Sequence, residues 1–173
     1  LYSSAASDVY KRQAKHFAEE VGFNFMCITP ATLKSRYVNA TQENIAKMFK
    51  EAEENAPTVI FIDEMNELVP NRDDGNVHEM SRSAVNEMLA QMDRTGEKGV
   101  FIIGATNYPN MIDPAILRAG RLDKKYYIGV PDFEARMALF KLYLEKRPYD
   151  FGLDYSQLAD MTQGLSLIHI SEP

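Results

Sequence analysis

The sequence predicts an α/β fold built on a mostly parallel sheet. Three observations carry that expectation. Two apolar runs, Thr58-Val59-Ile60-Phe61-Ile62 and Val100-Phe101-Ile102-Ile103, are continuous rather than alternating, the pattern of strands covered by helices on both faces. Stretches with helical periodicity separate the strand-like segments, and such alternation favours parallel pairing. Each apolar run closes on polar residues, Asp63-Glu64 after the first and Thr106-Asn107 after the second. Open α/β sheets place ligands just beyond the carboxyl ends of their strands.

The elements follow in order. Ala14–Val21 reads as the end of a helix, with Phe17 and Val21 four apart on one face and Gly22 as its stop. Phe23–Ile28 reads as a short strand. Thr41–Asn55 is helical: Ile45, Met48, Phe49 and Ala52 form an apolar stripe, and Thr41 is placed to cap it, with Asn44 nearby. Pro57 separates this helix from the strand Thr58–Asp63. Val69–Glu79 is polar and holds Pro70, Asp73, Asp74 and Gly75, so it reads as loop. Ser81–Asp93 is a second helix with Val85, Met88, Leu89 and Met92 inward. Arg94–Gly99 turns into a strand over Val100–Thr106. Tyr126–Val130 reads as a further strand, and Asp132–Leu144 as a helix carrying Met137, Leu139, Phe140 and Tyr143. There is no internal repeat and no low-complexity segment.

Composition narrows the function. A hydrophobic content of 45% with 25% charged residues is that of an ordinary soluble globular chain. A formal charge of −6 argues against a nucleic-acid-binding surface, which is usually basic. Cys27 is the single cysteine, so no intrachain disulfide forms and a reducing compartment is the default. No apolar run has the length to cross a membrane. Asn39-Ala40-Thr41 matches the glycosylation pattern by coincidence in such a context. His78-Glu79-Met80-Ser81-Arg82 is not a zinc-binding His-Glu-x-x-His, because Arg82 stands at its last place.

The polar strand ends are the candidate site. A carboxylate such as Asp63 can hold the hydrated Mg²⁺ that bridges nucleotide phosphates. Its neighbour Glu64, facing the other way on the pleat, can orient or deprotonate a water. The plainer reading of this pair alone is a solvated acidic strand end. The Asn107 amide can bond both a γ-phosphate and the attacking water; the plainer reading is an Asn that opens the Tyr108-Pro109 turn.

The order of motifs resembles a known family. Ile62-Asp63-Glu64 is followed by Gly104-Ala105-Thr106-Asn107 and then by Asp113-Pro114-Ala115-Ile116-Leu117-Arg118-Ala119-Gly120-Arg121-Leu122-Asp123. Together they resemble the AAA family of ATPases, nearest its proteasomal and protein-segregase branch, over nearly all of Ala14–Gly164. The resemblance implies a P-loop NTPase-type sheet of strand order 5-1-4-3-2. It implies ATP and Mg²⁺ as cofactors, with Asp63 holding Mg²⁺ through water, Glu64 acting on water and Asn107 as sensor of the nucleotide. It makes Arg118 and Arg121 arginine fingers that reach the ATP site of the next subunit in a hexameric ring. Tyr37-Val38-Asn39 falls where the family has a pore loop that grips protein substrates, with Asn39 in place of Gly, a residue that still tolerates left-handed backbone. Asn66 stands where relatives often have another acid, and Ala119 where they commonly have Pro. The implied protein is a cytoplasmic, ATP-hydrolysing remodeller or unfoldase. The alternatives are a nucleotide-dead scaffold or adaptor of the same fold, or a nucleic-acid motor of the same superfamily. The intact Asp63, Glu64, Asn107, Arg118 and Arg121 speak against the scaffold; the acidic balance and Tyr37 speak against the motor.

Both ends look foreign to this resemblance. Ser3–Gln13 and Leu165–Pro173 look like translated sequencing-adapter strings at opposite ends of one library fragment. The expected organisation is therefore non-native residues at 1–13 and 165–173, a partial ATPase core over 14–131, and the start of a helical lid over 132–164. The phosphate-cradling pattern Gly-x4-Gly-Lys-Ser/Thr is absent from these residues, and Ala14-Lys15-His16-Phe17-Ala18 resembles the helix that follows it. Residues 14–164 alone are expected to be inactive, and the Val100–Thr106 and Tyr126–Val130 strands not to pair with each other.

Overall fold

The computed structural model describes residues 4–33, 40–72, 79–93, 95–144, 152 and 154–164. They fall into two compact units. One is Val9–Lys125; the other holds residues 4–8 and the described residues from Tyr126 on.

The first unit is organised by three parallel strands: β1 (Asn24–Ile28), β2 (Thr58–Ile62) and β3 (Val100–Gly104), in the order β1-β2-β3. The register is even, with Asn24 opposite Thr58 and Thr58 opposite Val100, so all three chains end on the same edge. The parallel order agrees with the 4-3-2 part of the expected sheet. β2 is the middle strand and is buried at every position. Ile60 and Ile62 join the main core; on the alternate face, Phe61 tilts against Phe25 at 6.4 Å between ring centroids.

Helices supply the rest of that core. α1 (Ser4–Glu20) precedes β1 and continues further toward the start of the chain than its apolar pattern alone indicates. The four-residue α2 is Pro30–Leu33. α3 (Ala40–Glu54) buries Ile45, Met48, Phe49 and Ala52, the stripe read from sequence. It begins early enough to put Thr41 in its first turn, and Asn44 Nδ2 donates instead to Leu33 O at 3.1 Å. α4 is the short Met65–Leu68, and α5 is Glu79–Met92. Val85, Met88, Leu89 and Met92 of α5 are buried in the same cluster.

Two strand boundaries differ from expectation. β2 stops at Ile62 and β3 at Gly104, so Asp63, Ala105 and Thr106 lie beyond the ladder. The cause is local: Ala105 N donates to Ile62 O at 2.8 Å as the ladder closes, and beyond it the left-handed Glu64 turns its chain so that Met65 N donates to Ala105 O at 3.0 Å. A Cβ at Gly104 would collide with Met65 Sδ, so a larger residue there requires the Met65 side chain to move. β3 is also less covered than its sequence implies. Phe101 is 53% exposed although it stacks on Phe23, because β3 is the outer strand of the described sheet.

The second unit corrects one element. Tyr126–Val130 is not a strand, and its large side chains lie open, Tyr127 at 95% exposure. Without a ladder among the described residues, its N–H and C=O groups are left to water. α6 (Phe133–Leu144) forms as expected, but its buried side chain is Arg136, not one of its apolar residues. Arg136 Nε donates to Ala159 O at 3.1 Å and Nη1 to Pro131 O at 2.8 Å. That holds α6 to α7 (Tyr155–Met161), a helix the sequence reading lacks. Its signal was present in Asp154, whose carboxylate caps it by accepting from Ser156 N and Gln157 N.

Candidate active site at the carboxyl edge of the sheet

Asp63 and Glu64 leave β2 at the edge where Asn107 follows β3. Asp63 N is still tied to Ile28 O at 2.9 Å, the last link to β1. Its Oδ1 accepts from Glu64 N at 2.8 Å, which fixes the carboxylate against the next peptide. Glu64 departs from the expectation of a pleated neighbour. Its backbone is left-handed, φ 47° and ψ 45°, and it is the residue that opens α4. Strand alternation therefore does not set the direction of Glu64; a single strained residue does. Both carboxylates are partly exposed.

The segment carrying Asn107 is braced from α4. Thr106 Oγ1 donates to Asn66 Oδ1 at 2.7 Å and accepts from Tyr108 N at 2.9 Å. Asn107 itself is exposed. The sheet thus presents two acids and an amide on one edge. Among the described residues no three His, Cys, Asp or Glu side chains gather to hold a metal.

The arginine segment is anchored by its own acid. Asp113 is buried and accepts from Arg72 Nε at 2.6 Å, from Arg72 N and from Ala115 N. Burial pushes its carboxyl up, but the Arg72 bond and the two backbone N–H groups outweigh that and hold it below the usual range. Arg72 Nη1 reaches on to Asn86 Oδ1 of α5 at 2.7 Å. The turn from Asp113 closes with Arg121 N on Arg118 O at 3.2 Å.

The two candidate fingers differ. Arg118 is exposed. Arg121 is folded back: Nε and Nη2 clasp both oxygens of Asp93 at 2.6 and 2.8 Å, and Nη1 donates to Ala115 O at 2.6 Å. The Arg121 hydrogen bond lowers the Asp93 carboxyl, and the same bond raises Arg121. Asp93, Arg72 and Thr106 were not singled out from sequence. The first two sit far along the chain from their partners, and no local spacing marks such pairs. Tyr37, Val38 and Asn39 lie outside the described residues. No described helix is long and apolar enough to cross a membrane.

Comparison with known proteins shows what the chain is similar to. The family model described as "ATPase family associated with various cellular activities (AAA)" matches residues 13–130. The Cell division cycle protein 48 homolog of Archaeoglobus fulgidus is 39% identical over 152 residues, which is 87% of this chain and 21% of that protein. The chain therefore spans about a fifth of the length of this relative.

Proposed function

Because this chain belongs to the AAA family of ATPases, we propose that it is part of an ATP-hydrolysing, hexameric protein remodeller of the segregase type. One observation carries the proposal: Asp63 and Glu64 leave the buried middle strand at the edge where Asn107 follows its neighbour. A merely structural acidic turn does not require a strained left-handed Glu beside a tethered Asp, with a braced amide on the adjacent chain.

In this reading Asp63 holds the hydrated Mg²⁺ of MgATP, and the ion neutralises phosphate charge when bound. The bond from Glu64 N keeps the Asp63 carboxylate in one orientation. Glu64 orients the attacking water and takes its proton. Asn107 bonds the terminal phosphate and the same water. Arg118 projects to the site of the next subunit, where a guanidinium can raise the rate by roughly 10³–10⁵. Arg121 shares that role only after leaving Asp93 and Ala115 O. The pore triplet Tyr37-Val38-Asn39 grips protein substrate. The lone Cys27 fits a reducing, cytoplasmic setting. Residues 14–131 act as part of the ATPase core and 132–164 as the start of its lid, with 1–13 and 165–173 extraneous to both. The phosphate loop and its lysine belong to the longer protein.

The test uses that longer protein. Glu64→Gln should abolish hydrolysis while ATP stays bound, because Asp63 survives. Arg118→Ala should abolish hydrolysis at the neighbour's site, and mixing with Glu64→Gln subunits should restore activity where a good arginine faces a good Glu64. Hydrolysis that persists in Glu64→Gln, or mixtures that recover nothing, would overturn these roles. Residues 14–164 alone should show no micromolar MgATP binding by isothermal titration, since backbone amides and lysine of the phosphate loop supply most phosphate contacts.

A further inference from the structure

We propose that Asn66 and Thr106 are positioning residues for Asn107, bracing the turn that carries it against the turn that carries Asp63 and Glu64. The proposal rests on the ATPase reading for its kinetic consequence and on geometry for the brace itself. Thr106 Oγ1 lies 2.7 Å from Asn66 Oδ1 and 2.9 Å from Tyr108 N. The hydroxyl accepts from Tyr108 N and donates its single proton to the amide oxygen that Asn66 turns toward it. On the residues just before these, Met65 N donates to Ala105 O at 3.0 Å. The two turns are thus joined at consecutive positions, 65 to 105 and 66 to 106, directly after Glu64 and directly before Asn107.

Asn107 is exposed and lies between the two ends of the Thr106–Tyr108 bond. The side-chain brace therefore adds to the backbone ties in setting its Cα. Position 66 needs only an acceptor there. An amide oxygen meets that need without adding a third carboxylate beside Asp63 and Glu64, which accounts for Asn66 in place of the acid common in the family. Acceptor chemistry, not charge, is the requirement at this position.

Steady-state ATPase assays on the full-length protein test this. Thr106→Val keeps the shape and removes the hydroxyl; Asn66→Leu removes the acceptor. Each should lower kcat about 3- to 10-fold, the scale of one lost hydrogen bond, with KM for ATP held within about twofold. The double variant should be no slower than either single one, because both remove the same contact. Asn66→Asp, which keeps an acceptor, should retain kcat within about twofold. Unchanged kcat in either single variant, losses that multiply in the double variant, or an Asn66→Asp as slow as Asn66→Leu would overturn the proposal. A wild-type protein that hydrolyses no ATP would overturn the proposed function instead. The brace is then read without activity, by amide hydrogen exchange at Tyr108 in this chain: protection lost in Thr106→Val supports it, and unchanged exchange overturns it.

Discussion

Thr58–Ile62 and Tyr126–Val130 are both short, apolar and rich in β-formers, yet only the first is a strand. Thr58–Ile62 has a parallel neighbour on each side and is buried throughout. Tyr126–Val130 pairs with no strand among the described residues and leaves Tyr126 83% exposed. β-propensity is a fit to a half-buried surface and not a property of the segment. Two pentapeptides rich in β-formers become core or surface according to what lies beside them.

That contrast sets the sizes of four mutational effects. The largest is Phe61→Ala, which opens a void in the middle strand and should cost about 3–5 kcal/mol, read by urea unfolding. A cost under about 1 kcal/mol would mean β2 is less tightly held than its burial implies. Next is Arg136→Ala, which removes the donor to Pro131 O and one of the donors to Ala159 O, where Thr162 N and Oγ1 remain, and should cost about 1–3 kcal/mol, the scale of hydrogen bonds from a charged group. Hydrogen exchange in α7 should rise with it, while exchange in β2 should not. Third is the pH dependence of Asp113. Its carboxyl is held below the usual range when folded, so its contribution is present above about pH 4 and fades as pH falls through the folded value. Asp113→Asn should therefore flatten the acid limb of a plot of melting temperature against pH. The smallest is Ile128→Ala, expected within about 0.5 kcal/mol of wild type. A large loss there would show that Tyr126–Val130 has a partner after all.

The sheet was legible because β2 and β3 carry unbroken apolar runs and because the stripes of α3 and α5 repeat at helical spacing. The candidate residues at the strand ends were legible for a related reason: polar residues after such a run stand out. What escaped was long-range and polar. Arg72 meets Asp113 and Arg121 meets Asp93 across loops and helices, and neither pair has a spacing signature. Glu64 escaped in another way. Its identity was evident, but strand alternation does not govern its direction, since the ladder ends at Ile62 and a left-handed residue follows. Arg136 escaped because a charged residue on a helix reads as solvated until its two carbonyl acceptors are known. α7 was missed although Asp154 gave a usable capping signal.

Gly104 gives the fold an unusual kind of intolerance. It ranks among the exposed residues, so a substitution map ordered by solvent accessibility would mark it as free to vary. The constraint on it comes from within: any side chain there meets Met65, the residue that follows Glu64. Even alanine would have to displace the Met65 thioether, which is buried in the core. Saturation mutagenesis should therefore find a sharp dip in tolerance at this open position, flanked on the same strand by apolar residues that accept their near relatives.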